Sequence, residues 1–308
     1  MNETKICLLG GDTRQAALAR YLAQKGYETA VWSVPLPPHG TSEDNVLPPF
    51  SGVRCSDPAS AVAGSRAVIL PLPATTDGVR LHCPASAEEP LSLRRELRLT
   101  HLFEMLSGDI LLLAGRPSDV LRSMARENNI RLIDYYDNET VQVLNAVPTA
   151  EGALAIAMER LPITIHGSHC TVLGCGRIGT RLCRILHALG AHVTAVARSE
   201  KDLAHASVEG YEVRSVTEFG VDPGTPDVLF NTIPVPLIGE EVLEKLPTGT
   251  ILIELASAPG GFEEAALKKS GCPYIRAASL PGQVAPYTAG KILFEAIRRI
   301  LSSEGIGI

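Results

Sequence analysis

The stretch TVLGCGRIGT, residues 171–180, holds Gly174, Gly176 and Gly179 at GxGxxG spacing. That spacing suits a dinucleotide. The first glycine permits a tight turn, the second lets the backbone approach a pyrophosphate, and the third lets helix and strand pack closely. A strand pattern precedes the glycines. Arg177 and Ile178 lead into RLCRILHALG, a helix whose N-terminus is expected to face the phosphates. The next strand pattern ends in AVARSEKD. An acid at this point grips the ribose 2′-hydroxyl of NAD. The sequence offers Arg198, Ser199 and Lys201 instead. Arginine binds a 2′-phosphate bidentately, so NADP is expected over NAD. Glu200 is a competing acid past the expected position, and the basic residues also read as a plain solvated turn.

Three later loops are expected to complete the nucleotide site. They are NTIP (Asn231, Thr232, Ile233, Pro234), the turn with Ala256 and Ser257, and LPGQVAP with Pro281 and Gly282. Their small residues and prolines allow close backbone approach to a nicotinamide. Each also reads as an ordinary βα turn. The first half has its own glycine turn, GGDTRQ, without the GxGxxG spacing. There Asp12 is expected to cap a helix whose N-terminus favours an anion. Asp12, Arg14, Thr75, Thr76 and Arg116 are the candidate substrate-binding residues. Arg14 and Arg116 read equally as surface residues. His166 is the candidate acid/base, although a linker histidine also serves as a structural hydrogen-bonder. Glu151 and Tyr287 come after it.

The elements that must position these residues alternate along the whole chain. Strand patterns fall at KICLLG (5–10), TAVWSV (29–34), RAVILPL (66–72), DILLLAG (109–115) and IRLIDYY (130–136). The second half repeats the plan with CTVLGCG (170–176), HVTAVA (192–197), DVLFNTI (227–233), TILIELA (250–256) and PYIRAA (273–278). Short apolar runs of this kind suit strands buried on both faces of a parallel sheet. The reading is α/β: two Rossmann-like, doubly wound parallel-sheet domains facing across a cleft. One continuous sheet is the alternative, but ten strands is long for one. The substrate-side domain is expected over 1–147 and the NADP-binding domain, with its linker helix, over 148–286. Thr149 reads as the cap of that linker helix and Pro162 as its stop. The final helix, 287–308, carries an apolar stripe at 292, 293, 296, 297, 300 and 301. It reads either as packing back on the first domain or as an ordinary last helix of the second. The stretch 34–66, with five prolines between 35 and 49, reads as a long surface loop.

Composition narrows the class. The 308 residues fit two domains, and 45% hydrophobic with 20% charged residues suits a well-buried core. A net charge of −6 argues against nucleic-acid and anionic-membrane partners, which need basic patches. No leader pattern is visible, and no run is read as long enough to span a bilayer. The seven cysteines are scattered without CxxC spacing, so neither a metal site nor a disulfide framework is expected, which suits a reducing cytoplasm.

Nine segments occur together and in order: GGDTRQ, LPLPATTDG, AVPTAEGALAIA, TIHGS, GCGRIG, VARS, NTIP, ELASAPGG and LPGQVAPYTAG. The set resembles the A subunits of dipicolinate synthase from endospore-forming bacteria, over nearly the whole chain. The glycine fingerprint alone would not separate these from 2-hydroxyacid dehydrogenases. The Pro-rich loop at 34–49 is less family-like. The resemblance implies NADP-dependent oxidation of dihydrodipicolinate, formed from the hydroxylated tetrahydrodipicolinate of the lysine pathway, to dipicolinate. It implies a small dicarboxylate substrate, a homo-oligomer, a flavoprotein-like B subunit, and the cytoplasm of a sporulating mother cell. A 2-hydroxyacid or amino-acid dehydrogenase is the competing reading, against which stands the missing His–carboxylate pair. A non-catalytic cofactor-binding subunit is the third.

Overall fold

The structure is a computed structural model that describes residues 4–36, 47–83 and 96–307. The chain divides into two units, Met1–Gln142 with Ala285–Ile308, and Val143–Val284. The first unit has strands β1 (Lys5–Leu9), β2 (Glu28–Trp32), β3 (Val53–Arg54), β4 (Ala67–Ile69), β5 (Leu111–Ala114) and β6 (Arg131–Asp134). Between them lie α1 (Thr13–Lys25), α2 (Pro58–Val62), α3 (Leu99–Met105) and α4 (Asp119–Glu127). The long helix α5 (Glu139–Arg160) runs on into the second unit. There the strands are β7 (His169–Leu173), β8 (His192–Ala197), β9 (Glu212–Ser215), β10 (Val228–Asn231), β11 (Ile251–Glu254) and β12 (Tyr274–Arg276). Its helices are α6 (Arg177–Ala188), α7 (Glu200–Val208), α8 (Val216–Val221), α9 (Glu240–Leu243), α10 (Glu264–Ser270) and α11 (Leu280–Val284). The last helix, α12 (Pro286–Ser303), belongs to the first unit.

Both sheets are parallel and share one topology, β3-β2-β1-β4-β5-β6 and β9-β8-β7-β10-β11-β12. This is the doubly wound order, and each sheet reverses direction of growth once, between β1 and β4 or between β7 and β10. Ligands of such sheets bind beyond the carboxyl ends of the strands at that switch. The central strands, such as β4, β5, β10 and β11, are buried along their length because both faces are covered. Ile6, Leu8, Ile69 and Leu113 enter one core, while Cys7, Leu9, Val68 and Leu112 enter the core on the other face. In the second sheet Val172, Phe230 and Ile253 lie on one face and Leu173, Leu229 and Leu252 on the other.

Several sequence expectations need correction. Among the described residues the sheets hold twelve strands, not ten: β3 is two exposed residues and β9 reads EVRS, so neither has an apolar run. Of the stretch read as a loop, residues 37–46 lie outside the described residues, and β3 and α2 fall within the rest. Thr149 does not begin a helix. α5 starts ten residues earlier, at Glu139, and carries Pro148 inside it. The Thr149 hydroxyl instead donates to the Asn145 carbonyl one turn back, 2.8 Å away. α5 is also long and apolar enough to cross a membrane, contrary to the reading that no run is. Half of its apolar window is buried, with Ala150, Ala153 and Ala157 in the core of the second unit.

Helix α12 packs on α1, placing Leu293, Ile297 and Leu301 in the core of the first unit. The crossing point is Gly290. A Cβ there would lie 2.5 Å from the Ala17 Cβ and 2.8 Å from the Arg14 carbonyl. Gly290→Val is therefore expected to cost about 1–3 kcal/mol through overpacking, read as a lower urea midpoint. Gly220→Ala, whose added methyl meets nothing within 4 Å, should leave the midpoint unchanged or raise it.

Candidate functional site

The glycine fingerprint forms the turn from β7 into α6. Gly174 has φ 97, and a Cβ on it would lie 2.4 Å from the Thr232 hydroxyl. A Cβ on Gly179 would lie 1.7 Å from the Gly174 carbonyl oxygen, so α6 can start this close to the turn only with glycine there. Gly176 differs: an added Cβ would meet nothing within 4 Å. It is the N-cap of α6 and offers no side-chain cap. The α6 N-terminus therefore has no side-chain cap and free space beside Gly176, features that suit an anion site. Gly176 lines a hollow of about 460 Å³ with Val143, Val147, Arg177, Arg181 and Arg184. Ile178 packs on the core.

Arg198 stands at the carboxyl end of β8, exposed and with no hydrogen bond or ion pair among the described residues. Ser199 caps α7, its hydroxyl accepting from the Asp202 N–H at 3.4 Å. Lys201 is exposed in the first turn. Glu200 and Asp202 share that turn, where the helix dipole favours acids.

The later loops are built differently from the expectation. Asn231 is 1% exposed, and its amide donates to Glu254 Oε1 at 2.8 Å and to the Ile233 carbonyl at 2.9 Å. Its side chain shapes the loop, its carbonyl oxygen also accepting from the Ile233 N–H at 3.1 Å. The Thr232 hydroxyl donates to the Leu173 carbonyl at 2.8 Å. Ile233 is half-buried and Pro234 exposed. Glu254, buried and missed by sequence reasoning, is the hub. Its carboxylate also accepts from the backbone N–H groups of Ala256 (2.9 Å) and Gly261 (2.7 Å). Ser257 is exposed. Pro281 and Gly282 lie in the short helix α11, not in a loop, and α11 seats Leu280 against Gly152 of α5.

In the first unit the same turn is closed. Gly10 corresponds to Gly174: its φ is 66, and its N–H bonds Trp32 at 2.9 Å as that of Gly174 bonds Val196 at 2.8 Å. At the next two glycine positions stand Asp12 and Gln15. Asp12 caps α1, as expected. Its carboxylate also grips Arg14, with contacts of 2.9, 3.0 and 2.6 Å, and Arg14 donates onward to the Leu72 carbonyl at 2.7 Å. Burial of a guanidinium demands such a partner. The expectation that Arg14 and the α1 N-terminus present positive charge to a ligand is therefore corrected: both are spent on Asp12. The Gly11 N–H donates to the His82 carbonyl at 3.0 Å, so the chain itself covers this turn. Thr75 is buried and its hydroxyl accepts from Gly78 at 3.0 Å. Thr76 is exposed, as is Arg116, whose N–H donates to Asp134 at 3.0 Å.

His166 lies before the amino end of β7, its Nδ1 3.2 Å from the Leu189 carbonyl. The fingerprint is at the other end of that strand. This placement removes His166 from the candidate catalytic residues and makes it a support for the Leu189–Gly190 turn. Glu151 is exposed on α5, and Tyr287 lies in α12, in the first unit. The cysteine thiols are buried or half-buried. Burial raises several, Cys83 and Cys170 to about 11.

Residues 147–270 match the model of the D-isomer specific 2-hydroxyacid dehydrogenase NAD-binding domain, which indicates a nicotinamide dinucleotide. Residues 5–136 match the N-terminal domain of the dipicolinate synthase A subunits. The dipicolinate synthase A subunit of Bacillus subtilis (strain 168) is 30% identical over 97% of this chain and 96% of its own. A crystal structure of the Bacillus subtilis protein superposes with a TM-score of 0.80, at 29% identity over 98% of this chain and 97% of the other. The crystal structure of the Bacillus halodurans counterpart gives 0.82, at 26% identity over 97% and 98%. A transhydrogenase from Sinorhizobium meliloti, 12% identical over 97% of this chain and 94% of its own, shares the fold with a TM-score of 0.69. With its fold, its fingerprint and a relative matched from end to end, this chain belongs to the family of dipicolinate synthase A subunits.

Proposed function

We infer that the chain is an NADP-dependent oxidoreductase that converts dihydrodipicolinate to dipicolinate as the A subunit of dipicolinate synthase. Family membership supports the reaction. The observation that carries the choice of cofactor is Arg198, an exposed guanidinium without a partner among the described residues, where an NAD site has an acid. The backbone of 174–179 would hold the pyrophosphate, and Arg198, Ser199 and Lys201 the adenosine end. Backbone of 231–234 and 256–257 would lie along the nicotinamide. The bound cofactor supplies a hydride acceptor.

Losing a hydride and a proton turns the substrate ring aromatic, so the step is downhill. The chain's task is to orient the ring and anchor two carboxylates. Thr76 and Arg116, exposed beyond the ends of β4 and β5, favour the first unit for that task. The substrate is the dehydrated form of a lysine-pathway hydroxytetrahydrodipicolinate. The partner is a flavoprotein-like B subunit, and the setting is the cytoplasm of a sporulating mother cell.

Calorimetry should find NADP bound more tightly than NAD. Arg198→Ala should weaken NADP by the lower end of about 1.5–3 kcal/mol, because the site is open to solvent, and should hardly touch NAD. Equal affinities in the wild type would remove the NADP assignment.

With NADP, the lysine-pathway intermediate and the B subunit, the protein should form dipicolinate and NADPH, followed by chromatography and absorbance. Folded, NADP-loaded subunits that form no dipicolinate would overturn the reaction, and turnover of a 2-hydroxy acid instead would favour that dehydrogenase class. Equal product without this chain would make it a non-catalytic partner.

A further inference from the structure

The first sheet carries a histidine at its switch point that the sequence patterns pass over. His82 lies between β4 and α3, and its backbone is clamped to both switch-point loops. Its N–H donates to the Ala74 carbonyl at 2.9 Å, and its own carbonyl accepts from Gly11 at 3.0 Å. Ala74 follows β4, and Gly11 follows β1. The His82 backbone is therefore held beside the switch point, where doubly wound sheets bind ligands. It is half-buried and has no hydrogen-bond partner among the described residues. It borders a polar recess of about 170 Å³, which Thr76 also lines.

The other described histidines are placed elsewhere. His166, His169 and His192 sit at the amino end of the second sheet. His187 and His205 fall in the last turns of α6 and α7, and His101 is exposed on α3.

We propose that His82 is the proton acceptor in the ring oxidation, with the Asp12–Arg14 pair as its electrostatic support; this rests on the reaction inferred above. In the step, one ring C–H bond breaks with loss of a hydride, for which bound NADP would be the acceptor. An adjacent ring C–H bond breaks, its proton passes to a nitrogen of the neutral imidazole, and its electron pair completes the aromatic ring. The substrate loses two electrons to NADP, and the imidazolium returns its proton to water.

The charges around the ring agree with that role. Burial holds His82 below the usual histidine range, the Asp12 carboxylate pulls it upward, and the Arg14 guanidinium pushes it down. Cys83, Asp77, Arg80 and Glu96 line the same recess. Cys83 is raised to about 11 and so stays a thiol at neutral pH. Arg80 is paired with Glu96 at 3.3 Å. A histidine lowered in this way is neutral, and able to accept a proton, at pH 7. Activity should then be lost on the acid side, with a midpoint below about 6.5, the unperturbed value.

The test compares wild type with His82→Gln and His82→Asn, with NADP, the lysine-pathway intermediate and the B subunit present. The variants should lose about 10²–10⁴-fold in kcat, the usual worth of a general base, and the acid limb of the pH profile should disappear. NADP affinity by calorimetry should stay within a few-fold, which shows that the second unit is folded. In wild type without NADP, the His82 ring signal in NMR should shift when dipicolinate is added. Turnover near wild type in both variants, an unchanged acid limb, or a ring signal indifferent to dipicolinate would each overturn the proposal for His82 alone. No dipicolinate from wild type would instead sink the reaction, and this proposal with it.

Discussion

The nucleotide half of the molecule depends on one close approach. Helix α6 begins so near the turn after β7 that any Cβ at residue 179 would lie inside the Gly174 carbonyl oxygen. That contact sets the helix axis, aims its uncapped N–H groups at the space over Gly176, and brings the Thr232 hydroxyl against the turn. The first unit uses the same strand, turn and helix without the last two glycines. Asp12 then fills the cap, Gln15 takes the packing position, and the His82 segment closes the turn from above. A carboxylate where a pyrophosphate would lie repels it. One topology thus appears twice, once open to a pyrophosphate at its first turn and once closed to one there.

A carboxylate fixes the loops around each turn, Glu254 buried and Asp12 half-buried. Glu254 gathers Asn231, Ala256 and Gly261, and so sets the two loops beyond β10 and β11. Asp12 gathers Arg14, which reaches the Leu72 carbonyl and ties the β1 turn to the β4 turn. Tyr135 adds a third tie, donating to the Leu70 carbonyl at 2.9 Å from a fully buried position. Each of these groups is consumed by its partners. Their service to function is to hold other groups still, because a fully satisfied polar network rigidifies what it connects.

The central strands were legible because their burial on two faces writes an unbroken apolar run, as in LLLA of β5 and VLFN of β10. β9 was not, since an edge strand needs only alternate burial and EVRS is mostly polar. The start of α5 is hidden in the sequence because Thr149 and Glu151 imitate a helix beginning, and Pro148 inside the helix adds to that imitation. At the site, local geometry was readable: the three glycines of the fingerprint and the cap at Asp12 depend on neighbours within six residues. The role of the Asn231 side chain was not legible because its partner, Glu254, is 23 residues away. Arg14 was misassigned although Asp12 is two residues off, because spacing does not reveal that the guanidinium is buried. His82 carries no periodic signal. Its position comes from backbone bonds to Ala74 and Gly11, and the latter is distant in sequence.

The two turns differ in whether they admit a pyrophosphate, and hydrogen–deuterium exchange with and without NADP reads that difference at each of them. Slower exchange is expected at 174–180, 198–202 and 231–234 when NADP is added, with 9–15 unchanged. Protection centred on 9–15, with 174–180 unaffected, would contradict the account.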